Sequence, residues 1–263
     1  MTNWRLIREG TFSGAWNMAR DEALLLNQDA TTSPVLRFYD WDPACISLGR
    51  LQKDTSFIPV DTVFDWVRRP TGGRAVLHQY EITYCAVIHE SYLPRESRSV
   101  IGAYNWLSTG FIAGLQTLGV QAQLSAAHAR NAAVADNCFR AAAQCDFLVD
   151  GRKLIGAAQC RNHGVILQHG AILLEIDPHS WGGVFGDVMD DAVSLRSLGV
   201  TASRETIVEA LGEGLARSWD VALTDSQLND MEVELASRLH SGKYSSAEWN
   251  LSGRTNVKTV ECT

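Results

Sequence analysis

The chain has no apolar run approaching the ~18–20 residues that a membrane span needs, and its first residues, "MTNWRLIREGTF", contain no signal-like apolar core. It has no long polar or low-complexity stretch, no internal repeat and no excess of positive charge. The formal net charge is -7. General nucleic-acid binding, which needs a basic footprint, is therefore disfavoured. The six cysteines form no CxxC pair. Disulfides are not expected, and a zinc set drawn from Cys145, Cys160, His163 and His169 matches no common spacing. The expectation is a soluble cytoplasmic protein with no bound metal or cofactor and no membrane or nucleic-acid partner.

What is present is enough apolar material, 46% of 263 residues, to bury a full core. The positive charge gathers around glycines: Arg68, Arg69, Arg74, Arg140, Arg152, Lys153 and Arg161 all lie in or beside Gly-containing segments. One basic pocket on an acidic protein suits an anionic ligand or partner.

Ser13 caps a helix whose apolar face carries Trp16, Ala19, Ala23, Leu24 and Leu26. "PVLRFYDWDPACISLGRLQ" reads as two short strands around an Asp-Pro turn. "GRAVLH" and "EITYCAVI" read as a hairpin-like pair, with Ile82, Tyr84, Ala86 and Ile88 on one face. Helical spacing runs through Ile101, Tyr104, Leu107, Phe111, Leu115 and Leu118 to a stop at Gly119. Residues 121–137 have no steady period and read as a loop with a helical turn. Asp150-Gly151 suits a type I′ hairpin turn. "GVILQHGAILLEI" follows as a strand that Gly170 could interrupt. The C-terminal third is helical, with a capping box expected at Thr224 and Gln227. Strands at 35–90 and 145–176 with helices between and after give a mixed α+β domain.

Several residues carry candidate chemistry. Gly72-Gly73 frees backbone N–H groups and admits a ligand close to the chain, although a Thr-Gly-Gly turn is also an ordinary hairpin. Lys153 heads the uncharged run "KLIGAAQ"; it is either an exposed hairpin lysine or an inward-pointing fixed charge. Cys138 follows an irregular loop and has Arg140 two residues on, a setting in which positive charge can stabilise a thiolate. Cys85 and Cys45, in or beside β-runs, read as packing residues. His169 could share a wall with Lys153, whereas His78 and His163 read as structural.

The ordered segments "PVLRFYDWDPACISLGRLQ", "RRPTGGRAVLHQYEITY", "DGRKLIGAAQ" and "ILQHGAILL" resemble the signature blocks of the biotin/lipoate protein ligase superfamily, over roughly residues 4–250. The resemblance implies one catalytic domain over 1–250, with a larger mixed sheet, a smaller sheet and flanking helices, and a tail at 251–263. Within the superfamily the chain resembles the cysteine-dependent octanoyl-[acyl carrier protein]:protein N-octanoyltransferases of lipoate biosynthesis. Cys138 lies fifteen residues before Lys153, as in that group, and Arg74 stands where ATP-dependent ligases show a third glycine. Gln79, Arg140 and Ala157 depart from the group's usual Asp, acidic residue and Ser.

This likeness implies a Cys138 thioester formed from octanoyl-acyl carrier protein. The acceptor is a lysine on apo lipoyl domains, those of glycine cleavage H protein and 2-oxoacid dehydrogenase acyltransferase subunits. Lys153 is implied to stabilise the thiolate and orient the carbonyl. The implied substrate-binding set is Arg69, Thr71, Gly72, Gly73, Arg74, Val76, His78, Gly156 and His169, with oxyanion donors near Gly72-Gly73 or Gly156. Two other readings stay open: an ATP- and Mg²⁺-dependent lipoate ligase acting through lipoyl-AMP, and a non-catalytic binder of acylated carriers or lipoyl domains.

Overall fold

A computed structural model describes residues 2–125, 138–139, 145–186 and 189–257 of the chain. Two sheets form its frame. The larger has eight strands in the order β11-β1-β2-β6-β10-β9-β8-β7, and the smaller has three in the order β4-β3-β5. β1 (Thr2–Phe12) lies parallel to β2 (Val35–Trp41) and to β11 (Val221–Ser226). The helix α1 (Gly14–Leu26) supplies the β1-to-β2 crossover that parallel strands require. From β2 onward the large sheet is antiparallel through β6 (Glu81–His89), β10 (Val165–Leu173), β9 (Arg152–Asn162), β8 (Phe147–Val149) and β7 (Gln123–Leu124). The mixed α+β architecture with a larger and a smaller sheet is as expected.

One face of the large sheet packs on α2 (Val100–Thr117) and α4 (Arg204–Trp219). Ile82, Tyr84, Ala86 and Ile88 point there together, against Leu107, Phe111 and Leu115. The other face packs on α1 and α5 (Asp230–Leu239). A third apolar cluster joins the small sheet to the end of β10 and to α3 (Pro178–Phe185). The junction of the second and third clusters is where the site lies.

Four expectations change. The segments 73–78 and 81–88 do not form a hairpin: β5 (Val76–His78) pairs with β3 (Cys45–Leu48) in the small sheet, whereas β6 joins the large one. The chain crosses between sheets at Gln79 and Tyr80, so its two halves form opposite walls. β10 is not broken at Gly170. A side chain there would sit 2.7 Å from both the Gly156 carbonyl oxygen and the Tyr84 ring, so the glycine serves close packing inside a continuous ladder. The capping box is not at Thr224, which lies in β11; it is formed by Asn229 and Glu232 at the start of α5. Ser13 does precede α1 but makes no side-chain cap bond. The β8–β9 turn behaves as expected, with Asp150 and Gly151 both at positive φ, 50° and 78°. The loop expected at 121–137 falls mostly outside the described residues. α6 (Ala247–Ser252) docks on β4 (Asp65–Arg68) through the buried Trp249, whose indole N–H donates to the Arg68 carbonyl.

Candidate active site

The turn at 68–74 is built first by its own arginines. Arg68 is buried and donates to carbonyls of Gly49, Arg50, Gln52, Trp249, Asn250 and Leu251, tying the turn to the C-terminal helix. Arg69 folds back into the turn, donating to the Gly72 and Arg74 carbonyls and to both oxygens of Ser47. No carboxylate is among those partners, and burial pushes its guanidinium down to about 10. Gly73 adopts φ +89°, and Gly49 must be glycine because a Cβ would lie 1.8 Å from the Gly73 carbonyl oxygen. A rigid, pre-formed turn results. Arg74 keeps one buried guanidinium nitrogen with no partner among the described residues.

Facing the turn are Cys138 and Lys153. The Cys138 N–H donates to the Ala75 carbonyl, which moors the thiol beside β5. Lys153 does point inward and is 1% exposed. Its Nζ donates to the Cys138 carbonyl at 2.8 Å and lies 3.5 Å from Sγ and 2.6 Å from Asp146 Oδ2. Burial alone would lower the pKa of this ammonium, but the sulfur and the Asp146 carboxylate more than offset it, and the net shift is upward. The Phe139 ring lies 5.0 Å from Nζ. Gly156 leaves the space for this arrangement: a Cβ there would sit 3.0 Å from Lys153 Cε and 3.3 Å from Phe139. Arg140, named beside Cys138 from the sequence, lies outside the described residues.

A cleft with about 430 Å³ of empty space, its open mouth included, runs between the two sheets from this pair. Of the expected site residues, Arg69, Gly73, Val76, His78, Cys138, Gly156 and His169 line it, together with Ala157, Ala158, Gly170 and Ala171. The glycines and alanines keep the floor low, and the slot is mostly apolar. Lys153, Thr71, Gly72 and Arg74 are not part of that lining. Thr71 Oγ1 lies 2.6 Å from His169 Nε2, and His169 Nδ1 lies 3.0 Å from Asp21 Oδ2. Asp21 also holds Arg37 and Tyr39. Burial raises the Asp21 carboxyl, but the His169 bond and the Arg37 charge win and hold it below the usual range. Burial keeps His169 below its ordinary value, so Nδ1–H donates to Asp21 and Thr71 donates to Nε2.

Sequence reasoning missed Asp146, Phe139, Ser47, Trp41, Glu81 and Asp21. Asp146 had a signal, since it precedes the hairpin strand opposite Lys153. Asp21 and its neighbour Glu22 had none: both are charged residues that look solvated in α1, yet both are fully buried. Their partners Arg37, His169, Lys243 and Tyr244 are distant in sequence.

Residues 13–233 match the family model for the lipoyl protein ligase A/B catalytic domain, and the chain belongs to that family. It is 39% identical to octanoyltransferase LipM of Kyrpidia tusciae and 37% identical to that of Lysinibacillus sphaericus, with 95% of this chain and 99% of each relative covered. The Bacillus subtilis octanoyltransferase LipM is 34% identical over 94% of this chain and 97% of its own. In fold, the chain is similar to a lipoate protein ligase of Thermoplasma acidophilum with bound lipoic acid (TM-score 0.81, 22% identity, 95% and 99% covered). It is equally similar to lipoate-protein ligase A bound with ATP (TM-score 0.82, 22% identity, 95% and 98% covered).

Proposed function

We propose that this protein is an octanoyltransferase of lipoate biosynthesis, moving an octanoyl group from octanoyl-acyl carrier protein to a lysine of an apo lipoyl domain. The observation that carries the reading is the Lys153 ammonium, 3.5 Å from the Cys138 sulfur at the wall of an apolar cleft. In the first half-reaction the Cys138 thiolate attacks the donor thioester, forming an octanoyl–sulfur bond and releasing the carrier thiol. In the second, the acceptor amine attacks that thioester, forming the amide and returning the thiolate to Lys153. A thiolate serves both steps, as a strong nucleophile and then as a leaving group.

Lys153 steadies the sulfur's negative charge, while Asp146 and Phe139 fix the ammonium in place. The small residues Gly156, Ala158 and Ala171 give the tail its slot, where each buried CH₂ contributes about 0.8 kcal/mol. Arg69, Gly72 and Arg74 act through the shape of the turn, and Thr71 through His169. Incubation with octanoyl-acyl carrier protein in the absence of ATP tests the proposal by intact mass. A hydroxylamine-labile octanoyl adduct is expected on the wild type and not on Cys138→Ala. Modification of a lipoyl domain only with ATP and free lipoate would replace this reading with that of a ligase. Absence of both reactions would leave a binding protein.

A further inference from the structure

The transfer just described produces a proton that has to leave a mostly apolar cleft. At neutral pH the acceptor lysine arrives as an ammonium, since its ordinary pKa is about 10.4. Aminolysis forms the C–N bond and breaks the C–S bond, whose electron pair stays on sulfur beside Lys153. Two protons leave the nitrogen. One balances the proton taken up by the departing carrier thiolate in the first half-reaction; the other must be exported in every turnover.

We propose that Ser47, His78 and Glu81 form the route by which that proton leaves, with Glu81 a positioning and relay residue acting through His78. The inference rests on the octanoyl-transfer reading. Ser47 and His78 line the same cleft as Cys138. His78 Nε2 lies 2.7 Å from Ser47 Oγ, and its Nδ1 lies 2.5 Å from Glu81 Oε1. Arg69 donates to Ser47 Oγ, so the Ser47 hydroxyl hydrogen turns to His78 Nε2, and the His78 Nδ1–H faces Glu81. Trp41 stacks on the imidazole at 3.9 Å and fixes its plane. The Trp41 indole N–H donates to Thr83, which in turn donates to Glu81 Oε1. A proton accepted at Ser47 Oγ thus passes by successive hops to the Glu81 carboxylate.

The far end of this chain is what sets it apart. Glu81 Oε2 has no hydrogen-bond partner among the described residues, although the side chain is 2% exposed. A buried, unpaired carboxylate oxygen is costly and rare. Glu81 also lines a second groove, which shares Trp41 with the cleft and is lined by Tyr80 and Leu174 together with polar and charged side chains. The charged groups around it there are Asp40 from the end of β2, Arg204 from α4, and Glu175 and Arg196 from the segment after β10. The bonds of the other cleft histidine run the opposite way, into the core. His169 ends on Asp21, which is fully buried and held by Arg37 and Tyr39. One histidine is anchored in the core, and the other connects the cleft to a second opening.

Glu81→Gln tests this, because the amide keeps an acceptor for His78 and Thr83 but has no useful basicity. The full-length wild type and variant are loaded with octanoyl-acyl carrier protein and then chased, in single turnover, with apo glycine cleavage H protein or with hydroxylamine. Octanoyl-enzyme formation is expected within about twofold of wild type, while aminolysis at neutral pH falls about tenfold or more. The gap should close near pH ~10, where the acceptor amine is already neutral. Hydroxylamine, uncharged at neutral pH, sheds one proton in the step where the lysine ammonium sheds two, so without the second proton to export it should deacylate both proteins alike. Unchanged aminolysis, an equal loss with hydroxylamine, or a gap that persists at high pH would overturn the relay. If Glu81→Gln does not fold, Ser47→Ala breaks the path at its first hop; the lost bond to Arg69 affects both nucleophiles, so the readout is the ratio of aminolysis to hydroxylamine deacylation, which must fall about tenfold at neutral pH, and an unchanged ratio overturns the relay. A wild type that forms no adduct removes the transfer reading itself and the relay with it, whereas an adduct with the wrong split overturns the relay alone.

Discussion

Replacing Lys153 with Met separates what the ammonium does for the fold from what it does for the thiol. The side chain is 1% exposed, and its Asp146 partner is 3% exposed at 2.6 Å. Met fills similar volume, so the main structural loss is the ion pair, which leaves the Asp146 carboxylate buried without that ammonium. Breaking a buried pair from one side costs about 3–5 kcal/mol. At about 2–4 °C per kcal/mol for a chain of this size, the melting temperature should fall by roughly 6–20 °C. Adding Asp146→Asn removes the carboxylate that has lost this ammonium, so the double variant should recover part of that loss. Acyl transfer should not return, because the ammonium 3.5 Å from Sγ is gone. Thermal unfolding of the four proteins of the cycle measures the coupling. Additive losses, or a double variant as active as wild type, would refute the role given to this pair.

Two further outcomes follow from the same geometry. Ala158→Leu raises the cleft floor and displaces about three methylenes of the tail. At about 0.8 kcal/mol each this is roughly 2.4 kcal/mol, so kcat/KM for an octanoyl over a butyryl donor should fall about fifty-fold; an unchanged ratio would place the tail elsewhere. His169 is held below its ordinary pKa of about 6.5, so its contribution to stability is complete above that pH. As the pH drops below it, the unfolded chain takes up a proton that the folded imidazole refuses, and stability is lost. Denaturant titrations from pH ~7 to ~5 should show a shallower acid slope for His169→Gln than for wild type; equal slopes would contradict the assignment.

The parts legible in the sequence were those written in local pattern. α2 followed its apolar spacing, and the β8–β9 hairpin followed Asp150-Gly151. The inward turn of Lys153 was one of two readings of the uncharged run it heads, and only its packing against Cys138 and Asp146 decides between them. The parts that were not legible depend on which sheet a strand joins. Strands close in sequence usually pair, and β5 and β6 do not. Nothing in "AVLHQYEITY" announces that the chain leaves one sheet for the other at Gln79. That crossing is what sets His78 and Glu81 at a wall between two cavities. The arginines of "RRPTGGR" announced positive charge but not its use: Arg68 and Arg69 spend their donors on backbone carbonyls and so make the turn stiff. Asp21 and Glu22 look solvated in a helix whose partners lie far along the chain, and a buried charge is recognisable only beside its counter-charge.

The central claim is that Cys138 carries the acyl group as an obligatory intermediate, and its most direct test is the chemical competence of the isolated acyl-enzyme. The octanoyl-enzyme, freed of carrier and of ATP, is mixed with an apo lipoyl domain in a rapid-quench experiment. Loss of the thioester and appearance of the octanoyl-lysine amide should share one rate constant, no slower than steady-state turnover. Amide formation that is slower than turnover, or that needs ATP, would contradict a covalent path through Cys138.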